Sequence, residues 1–260
     1  MSSPGKTALP NAIAEYRAKL ILVLLFTVMA TGCASNAAAP EDRDPADPWE
    51  PMNRSLYEIN DTLDRSMFKP VAKGYRKVLP VFVRTGISNF YDNLRTPGIM
   101  LNNFLQGKGQ DGLSDLARLS INTTLGIGGL VDIAGRMGLD EHDEDFGQTL
   151  ATWGVGNGPY VMLPFFGPST LRDALAMPVD FFLDPLFHYR NSSIRDKLWF
   201  LEAIDLRSRF LSAERVLEKS FDPYITIRQS YLQNRRFDIY DGDPPEDDFY
   251  DEFLDEDFED

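Results

Sequence analysis

Cysteine and histidine are scarce in this sequence. Its 260 residues include one cysteine and two histidines, His142 and His188, which lie in different segments. A lone cysteine cannot form an internal disulfide, and neither histidine has a partner at metal-ligand spacing. We therefore predict no metal site, no cofactor and no cysteine-based catalysis.

Other catalytic signatures are incomplete. Ser114 lies in Gly112-Leu-Ser-Asp-Leu116, which lacks the second glycine of a hydrolase elbow. The segment Gly126-Ile-Gly-Gly129 lacks the third glycine of a nucleotide loop, and we interpret it as a tight turn with close backbone packing. The acidic run Asp140–Asp145 is interpreted as solvated surface. The sequence therefore predicts that the protein is not an enzyme.

A basic surface is also missing. The formal net charge is −14, but residues 241–260 hold twelve acids and neither lysine nor arginine. Without them, 28 acids face 26 bases, so the rest of the chain is nearly neutral. This balance excludes a nucleic-acid partner. Residues 241–260 are predicted to be a disordered acidic tail, although its interleaved aromatic residues would also suit docking to a basic partner.

No apolar run is long enough to span a membrane. The run from Leu20 to Ala30 is about eleven residues, whereas a spanning helix needs about 20. It follows Lys6, Arg17 and Lys19 and ends at Thr31-Gly32-Cys33. This order predicts a signal peptide over 1–32, with cleavage and lipidation at Cys33. The alternative is an ordinary secretory signal in which Cys33 is incidental.

The segment around Cys33 resembles a bacterial lipobox, with Ala30 where leucine is usual. Ala34 and Ser35 follow the cysteine, and the absence of aspartate there favours the outer membrane in that resemblance. Residues 33–48 are rich in Ala, Pro and Asp, which indicates a lipidated flexible tether. We expect order to begin near Trp49 and a single helical domain to occupy 49–240.

Apolar residues spaced by three or four predict a mainly α-helical domain. Helices are expected over 51–80 with kinks at Pro70 and Gly74, from Val83 to a stop before Pro97, from Leu113 to Gly126, from a Ser169 cap to Pro178, from Ser193 to Leu217, and from Asp222 onward. Residues 135–168 are dense in Gly and Pro, so loops and short turns are expected there. The helices suit a membrane interface and a soluble core equally well, and periodicity alone leaves both open.

Several stretches together resemble the MlaA/VacJ family of outer-membrane lipoproteins. They are Asp47-Pro-Trp-Glu-Pro-Met-Asn-Arg54 with Tyr57 and Asn60, Phe104-Leu-Gln-Gly107, Asn122-Thr-Thr-Leu-Gly-Ile-Gly-Gly-Leu-Val-Asp-Ile-Ala134, Phe146-Gly-Gln-Thr-Leu150, Gly154-Val-Gly-Asn-Gly-Pro-Tyr-Val-Met-Leu-Pro164, Thr170-Leu-Arg-Asp173 and Asp222-Pro-Tyr224. The resemblance runs from about Asp47 to Gln233, and its motifs occur in the family's order and spacing.

This resemblance implies a ring-like arrangement of amphipathic helices with Gly/Pro-rich loops, held at the periplasmic face of the outer membrane by lipid. It implies removal of mislocalised phospholipid from the outer leaflet and its passage towards the inner membrane, which maintains lipid asymmetry. The implied partners are phospholipid, the membrane, a trimeric outer-membrane porin and a soluble periplasmic lipid carrier. The alternative is an envelope scaffold lipoprotein that transports nothing.

For the lipid channel that the family implies, the candidate residues lie in two of these stretches. The glycines and proline would shape a rigid turn, the two aromatic residues would lie at an interface, and the charged pair would contact a headgroup. They are Trp153, Gly154, Gly156, Gly158, Pro159, Tyr160, Arg172 and Asp173. The alternative for each of them is a purely structural role.

Overall fold

The protein was analysed as a computed structural model that describes residues 44–212, 214–217 and 219–245. The helices are α1 (Glu50–Leu63), α2 (Lys69–Val78), α3 (Val81–Leu105), α4 (Gly109–Thr124), α5 (Ile133–Arg136), α6 (Phe146–Thr152), α7 (Leu171–Leu183), α8 (Ser192–Phe210), α9 (Glu214–Leu217) and α10 (Pro223–Ile239). The predicted mainly α-helical class is confirmed. The signal peptide, Cys33 and most of the acidic tail lie outside the described residues.

The first predicted helix is continuous through both expected kinks. A π-helical turn at Asp64–Phe68 joins α1 to α2, and the helix continues past Pro70 and Gly74. Proline clashes with the carbonyl four residues before it, and a widened π turn ahead of Pro70 relieves that crowding. The irregularity therefore lies before the proline, and Gly74 does not divide the helix.

The predicted stop before Pro97 is wrong, because α3 runs for 25 residues through that proline. Thr96, the residue before the proline, donates its hydroxyl to the carbonyl oxygen of Asp92 at 3.0 Å. Helix α3 packs along α4 and also against α6, α7 and α8. Packing along its length outweighs the cost of an internal proline, which is about 3 kcal/mol.

Part of the Gly/Pro-rich middle forms regular structure that we did not predict. Besides α6, an antiparallel pair forms from β1 (Tyr160–Leu163) and β2 (Gly167–Thr170), with Tyr160 opposite Thr170. Two asparagines of α1 dock against β1 through their side chains. Asn53 donates to the carbonyl of Tyr160 at 3.1 Å and accepts from the amide of Met162 at 2.8 Å. These side-chain amides satisfy backbone groups along β1.

The same mode of docking is repeated about two turns further along α1, where Asn60 meets the turn of the hairpin. Asn60 donates to the carbonyl of Leu163 at 2.9 Å and accepts from the amide of Phe165 at 2.9 Å. Both asparagines belong to the family-like stretch that begins at Asp47. Their function in the fold is to fasten α1 to the hairpin, because a buried backbone amide or carbonyl needs a partner.

Two of the predicted helix starts are displaced by a residue or two. Thr170, not Ser169, caps α7 and accepts from the amide of Asp173 at 3.2 Å, because Thr170 is the last residue of β2 and directly precedes the helix. Asn191 caps α8, which begins at Ser192. The start of α10 at Asp222 followed by a proline is confirmed.

The predicted helix ends after Pro168 also differ. Helix α7 continues through Pro178 to Leu183, and a 3-10 turn at Pro185–His188 follows it. Helix α8 ends at Phe210, and the short α9 precedes α10. The apolar spacing from Ser193 to Leu217 therefore predicted one helix where the structure has two.

Residues just before α1 are packed into the fold, which corrects the expected start of order at Trp49. Asp47 is fully buried and accepts from the side chain of Asn53 at 2.7 Å. It also pairs with Arg228 of α10 at 2.9 Å and hydrogen-bonds the hydroxyl of Tyr224. These contacts join the N-terminal segment to the last helix, so residues 44–48 are part of the domain.

Candidate functional site

The described residues have an unusual distribution of polar and apolar side chains. Nineteen polar or charged residues are buried, against eleven hydrophobic ones. Large apolar side chains lie outside, and Phe82 and Leu175 are 76% and 70% exposed. Soluble proteins bury apolar residues and rarely expose large apolar patches. We call the exposed large apolar side chains of the described residues the apolar exterior; they include Val78, Val81, Phe82, Leu125, Ile127, Phe165, Leu175 and Phe182.

The apolar exterior is spread over many helices. Within the described ranges, no helix combines the length and the apolar content needed to cross a bilayer. Helices with one apolar face and one polar face suit a position in an interface rather than across it. This distribution favours the interfacial interpretation that the sequence left open.

A polar cavity of about 30 Å³ lies between α3, α4 and the loops on either side of α5. Helix α3 contributes residues at helical spacing on one face, and α4 contributes a facing set. Ten of the eleven lining side chains are polar, and they are Asn89, Asp92, Asn93, Thr96, Asp115, Arg118, Asn122, Asp132, Glu141 and His142, with Ile99 as the exception. We call this the α3–α4 cavity.

Two carboxylates of this cavity are held by short hydrogen bonds. Asp115 accepts from Asn103 and from Nδ1 of His142, each at 2.8 Å. Asp132 accepts from Asn122 at 2.8 Å and from the amide of Gly135 at 2.9 Å. Burial acts to raise the pKa of Asp132, but these hydrogen bonds and Arg118 outweigh it and lower that pKa. The Asp132 carboxylate in the cavity lining is therefore ionised at neutral pH.

The other two carboxylates have weaker partners. Burial raises the pKa of Asp92, against the attraction of Arg209 and Arg95, whose nearest nitrogens lie 4.0 Å from its Oδ1. Burial also raises the pKa of Glu141, which Arg118 opposes at 3.7 Å. A cation placed in the cavity would stabilise both carboxylates.

The loop from Gly126 to Gly129 forms the turn that the sequence predicted. Ile127, Gly128 and Gly129 all have positive φ, at 57°, 68° and 89°. A Cβ atom at Gly126 would lie 2.2 Å from the carbonyl oxygen of Val131. The glycines therefore serve close backbone packing beside the cavity, and the side chain of Ile127 projects into solvent.

The predicted channel candidates do not line the α3–α4 cavity. Tyr160 is fully buried in a small core with Leu56, Met162 and Tyr224. Trp153 is half exposed, packs edge-on against Phe146 and donates its ring nitrogen to the carbonyl of Leu105 at 3.1 Å. A channel role for these residues stays a prediction.

The charged candidates, Arg172 and Asp173, lie next to the turn that contains Gly154, Gly156 and Gly158. Arg172 is buried and pairs with Asp173 at 2.8 Å, and its Nη1 donates to Asn157 at 2.7 Å. Asp173 also pairs with Arg235 at 2.9 Å. Each charge therefore has a partner within the protein, as the structural alternative for this pair proposes.

The turn itself is shaped by the remaining candidates. Gly154 and Gly158 have positive φ, at 91° and 64°, whereas Gly156 has open space around it. Pro159 accepts at its carbonyl from the amide of Leu171 at 2.9 Å, which ties the turn to the start of α7. The positive φ values and this hydrogen bond give Gly154, Gly158 and Pro159 a role in the fold, whereas a role for Gly156 stays a prediction.

The acidic run Asp140–Asp145 is only partly the solvated surface that we predicted. Glu144 is buried and accepts from Lys108 at 2.7 Å and from Gln106 at 2.6 Å. Asp145 caps α6 and pairs with Arg235 at 2.6 Å. The prediction failed for these two residues because a run of acids in the sequence does not show which of them will pair with Lys or Arg side chains inside the fold.

No arrangement typical of a metal centre is found in the part of the chain that the structure describes: it contains no group of three or more His, Cys, Asp and Glu side chains placed to hold an ion. His142 hydrogen-bonds Asp115, and Nε2 of His188 lies 2.7 Å from the carbonyl oxygen of Phe182. Both histidines therefore have structural partners.

The sequence contained a signal for the α3–α4 cavity that we did not use. The apolar stripe Val83, Ile87, Phe90 and Leu94 predicted the helix, but the signal for the cavity lies on the other face of that helix. That face carries Asn89, Asp92, Asn93 and Thr96 at spacings of three and four. The polar stripe of an amphipathic helix faces water, and in this fold that stripe lines the cavity.

A carboxyl outside the cavity, at the start of α6, gives a pH-dependent prediction. Asp180 of α7 accepts from the amide of Phe146 at 2.9 Å, and burial raises its pKa to about 6, above its ordinary value. Such a group favours the folded state most at low pH, and that contribution is lost as pH rises through about 6. Asp180→Asn should therefore match wild type near pH 4 and gain thermal stability relative to it by pH 7.

The midpoint of thermal unfolding, followed by circular dichroism at steps from pH 4 to 7, measures this difference. Asp196→Asn is the control, because its side chain is 62% exposed, and its difference from wild type should not vary in the same way. A flat difference for Asp180→Asn across this range would contradict the prediction.

Comparison with known proteins shows where the chain belongs. The family model described as "MlaA lipoprotein" matches residues 45–238. The chain is 38% identical over 223 residues to "Intermembrane phospholipid transport system lipoprotein MlaA" of Escherichia coli (strain K12), across 84% of this chain and 88% of that protein. A protein of the same description from Haemophilus influenzae is 30% identical over 232 residues, across 87% and 92% of the two chains.

A solved structure agrees with these relatives. It is described as "Structural basis for maintenance of bacterial outer membrane lipid asymmetry", and it superposes with a TM-score of 0.66 at 39% identity. The match covers 76% of this chain and all of the other. The chain belongs to the MlaA lipoprotein family.

Proposed function

We propose that this protein removes mislocalised phospholipid from the outer leaflet of the outer membrane and passes it towards the inner membrane. The observation that carries the proposal is the reversed distribution of side chains, with a polar interior and an apolar exterior. A phospholipid crossing an apolar zone needs a polar path for its headgroup, because burying an unpaired charge is costly. We propose the α3–α4 cavity as a polar part of such a path, with the apolar exterior facing the acyl chains of the leaflet.

The relatives support this assignment, since the Escherichia coli and Haemophilus influenzae proteins are described as parts of an intermembrane phospholipid transport system. We further propose that Cys33 carries the acyl chains and that the protein lies at the periplasmic face. A trimeric porin and a soluble periplasmic carrier are the proposed partners. No covalent chemistry is proposed, because transfer of an intact lipid breaks no bond.

The test is outer-leaflet phospholipid in a strain lacking the gene. We expect phospholipid to accumulate there, and wild-type protein to restore the normal content. Cys33→Ala should fail to do so at equal protein level, because a protein without acyl chains loses its stable hold on the membrane. Unchanged asymmetry in the deletion strain would refute transport and favour an envelope scaffold.

A further inference from the structure

The junction between α2 and α3 carries charge of one sign, although the body of the chain is nearly neutral. Residues 65–91 contain six lysine or arginine residues and neither aspartate nor glutamate. We call residues 71–84, where one helix ends and the next begins, the basic corner. Its four cations are Lys73, Arg76, Lys77 and Arg84.

These cations are not neutralised by acids of the protein. Among the described residues, none of the four forms an ion pair. Arg76 and Arg84 donate to backbone carbonyls, at 3.5 and 3.3 Å. Lys73 and Lys77 are exposed and stand one helical turn apart on α2. An exposed pair of ammonium groups without acids attracts anions.

The opposite face of α2 is used by the fold. Ala72 is fully buried there, and Tyr75 donates its hydroxyl to the buried Asp205 of α8 at 2.7 Å. At 100° per residue, Lys73 and Lys77 point away from that packed face. The two lysines are therefore placed to meet something outside the protein.

Large apolar side chains lie beside the lysines. Val78, Val81 and Phe82 are mostly exposed at the turn between the helices. Lysines next to exposed apolar groups are typical of a segment in a membrane interface, where the ammonium groups stay at headgroup level and the apolar groups enter the acyl region. The basic corner has both parts of that pattern.

The loop after α4 extends the same apolar surface. Phe82, Gly86 and Asn89 recur at spacings of four and three on one face of α3. Asn89 donates to the carbonyl oxygen of Leu130 at 3.2 Å, and a Cβ at Gly86 would lie 3.3 Å from that oxygen. The loop is thus fastened to α3 one turn beyond Phe82. Ile127 in this loop is exposed at a positive φ, which is unfavourable for a β-branched residue.

The chain itself has an anionic segment that could compete for the basic corner. Residues 246–260, which lie outside the described residues, hold ten acids. Asp241, just before them, pairs with Lys108 at 2.5 Å, past the far end of α3. The 25 residues of α3 are about 37 Å long, so this segment leaves the fold a helix length away from the basic corner. A leaflet needs no such span, and it supplies phosphates and acyl chains together.

We propose that the basic corner docks on a membrane leaflet by binding anionic phospholipid headgroups. Phosphate oxygens lie beside Lys73 and Lys77, and the acyl chains surround Val78, Phe82 and Ile127. The inference rests on the proposed function, since it names the lipid class that the apolar exterior meets at this end of the fold. None of these residues lines the α3–α4 cavity, so the site is separate from the proposed path.

The test offers equal amounts of phosphatidylglycerol and phosphatidylcholine, with identical acyl chains, to the full-length protein purified from membranes in neutral detergent. Native mass spectrometry counts each lipid retained. We expect phosphatidylglycerol to be retained at least about tenfold better, because each lysine near an anionic lipid surface favours binding about fivefold. Lys73→Gln/Lys77→Gln should reduce that preference to within about threefold. Added salt should lower the wild-type preference, because salt screens exposed charges.

Arg190→Gln/Lys197→Gln is the matched control, because it removes the same charge from exposed residues around the start of α8. The basic corner meets α8 near its other end, at Ser208. This control should keep the wild-type preference. Phe82→Ser should lower the retention of both lipids and leave their ratio unchanged, and circular dichroism checks that every variant folds.

Three results would overturn the inference. The first is equal retention of the two lipids by wild type, which would leave phospholipid transport standing. The second is a preference that persists in Lys73→Gln/Lys77→Gln, which would place anion recognition elsewhere. The third is a preference that arises only when residues 246–260 are removed, since that segment would then be the occupant of the basic corner.

Failure of the proposed function gives a different result. In that case outer-leaflet phospholipid would be normal in cells lacking the gene, while the purified protein would still retain phosphatidylglycerol in preference. The two experiments therefore separate docking on the leaflet from transport.

Discussion

Arg235→Ala should destabilise the protein by about 3–5 kcal/mol, because it removes one partner from a buried ion-pair cluster. The guanidinium is 9% exposed and contacts Asp145 at 2.6 and 2.7 Å and Asp173 at 2.9 Å through two nitrogens. It joins α10 to the starts of α6 and α7. Burial acts to raise the pKa of Asp173, but Arg235, Thr170 and Arg172 together outweigh burial and lower that pKa. Without Arg235, Arg172 is the one cationic partner that this carboxylate keeps among the described residues.

Denaturant unfolding in detergent, monitored by circular dichroism, measures this loss. Arg65→Ala is the control, because the Arg65 side chain is 69% exposed and its pair with Asp61 lies within one helical turn. Exposed pairs of this kind contribute about 0.5 kcal/mol or less. A loss below about 1 kcal/mol for Arg235→Ala would show that the cluster adds little to stability.

Gly126→Ala should be the second severe change. Its new Cβ would lie 2.2 Å from the carbonyl oxygen of Val131 and 2.4 Å from that of Asn122. Backbone atoms cannot move aside as a flexible side chain does, so the turn must open. We expect a loss of roughly 2–4 kcal/mol in the free energy of unfolding. Asn122 lines the α3–α4 cavity, so the same change should also distort that cavity.

Gly74→Ala is the matched control for Gly126→Ala. A Cβ at Gly74 meets nothing within 4 Å, and the residue lies inside α2. Alanine lowers the entropic cost of ordering a helix, so this change should stabilise by about 0.5–1 kcal/mol. Equal unfolding curves for the two variants would refute the close packing inferred at Gly126.

The spacing of apolar residues in the sequence predicted which segments are helical better than it predicted where each helix ends. The Asp222-Pro223 start was readable because an aspartate cap and a proline at the first helical position act locally. The continuation of α3 through Pro97 could not be predicted in the same way, because the helices that pack against α3 and offset the cost of the proline are distant in sequence. The β1–β2 hairpin was missed for a similar reason, because its β1 edge is satisfied by Asn53 and Asn60 of α1.

The site was less predictable than the fold. Arg172 and Asp173 were selected from a family-like stretch, and the structure gives both charges partners inside the protein. The polar face of α3 was readable from spacing, but only its position against α4 makes it a cavity wall.

A polar interior alters the thermodynamics of folding as well as its geometry. The heat capacity of unfolding comes mainly from apolar surface newly exposed to water, and polar surface acts against it. A fold that buries Asn, Asp, Thr and Arg more often than aliphatic side chains therefore has a small heat-capacity change for its length. Its free energy of unfolding varies gently with temperature, and directional hydrogen bonds, which need no surrounding water to act, hold the fold together.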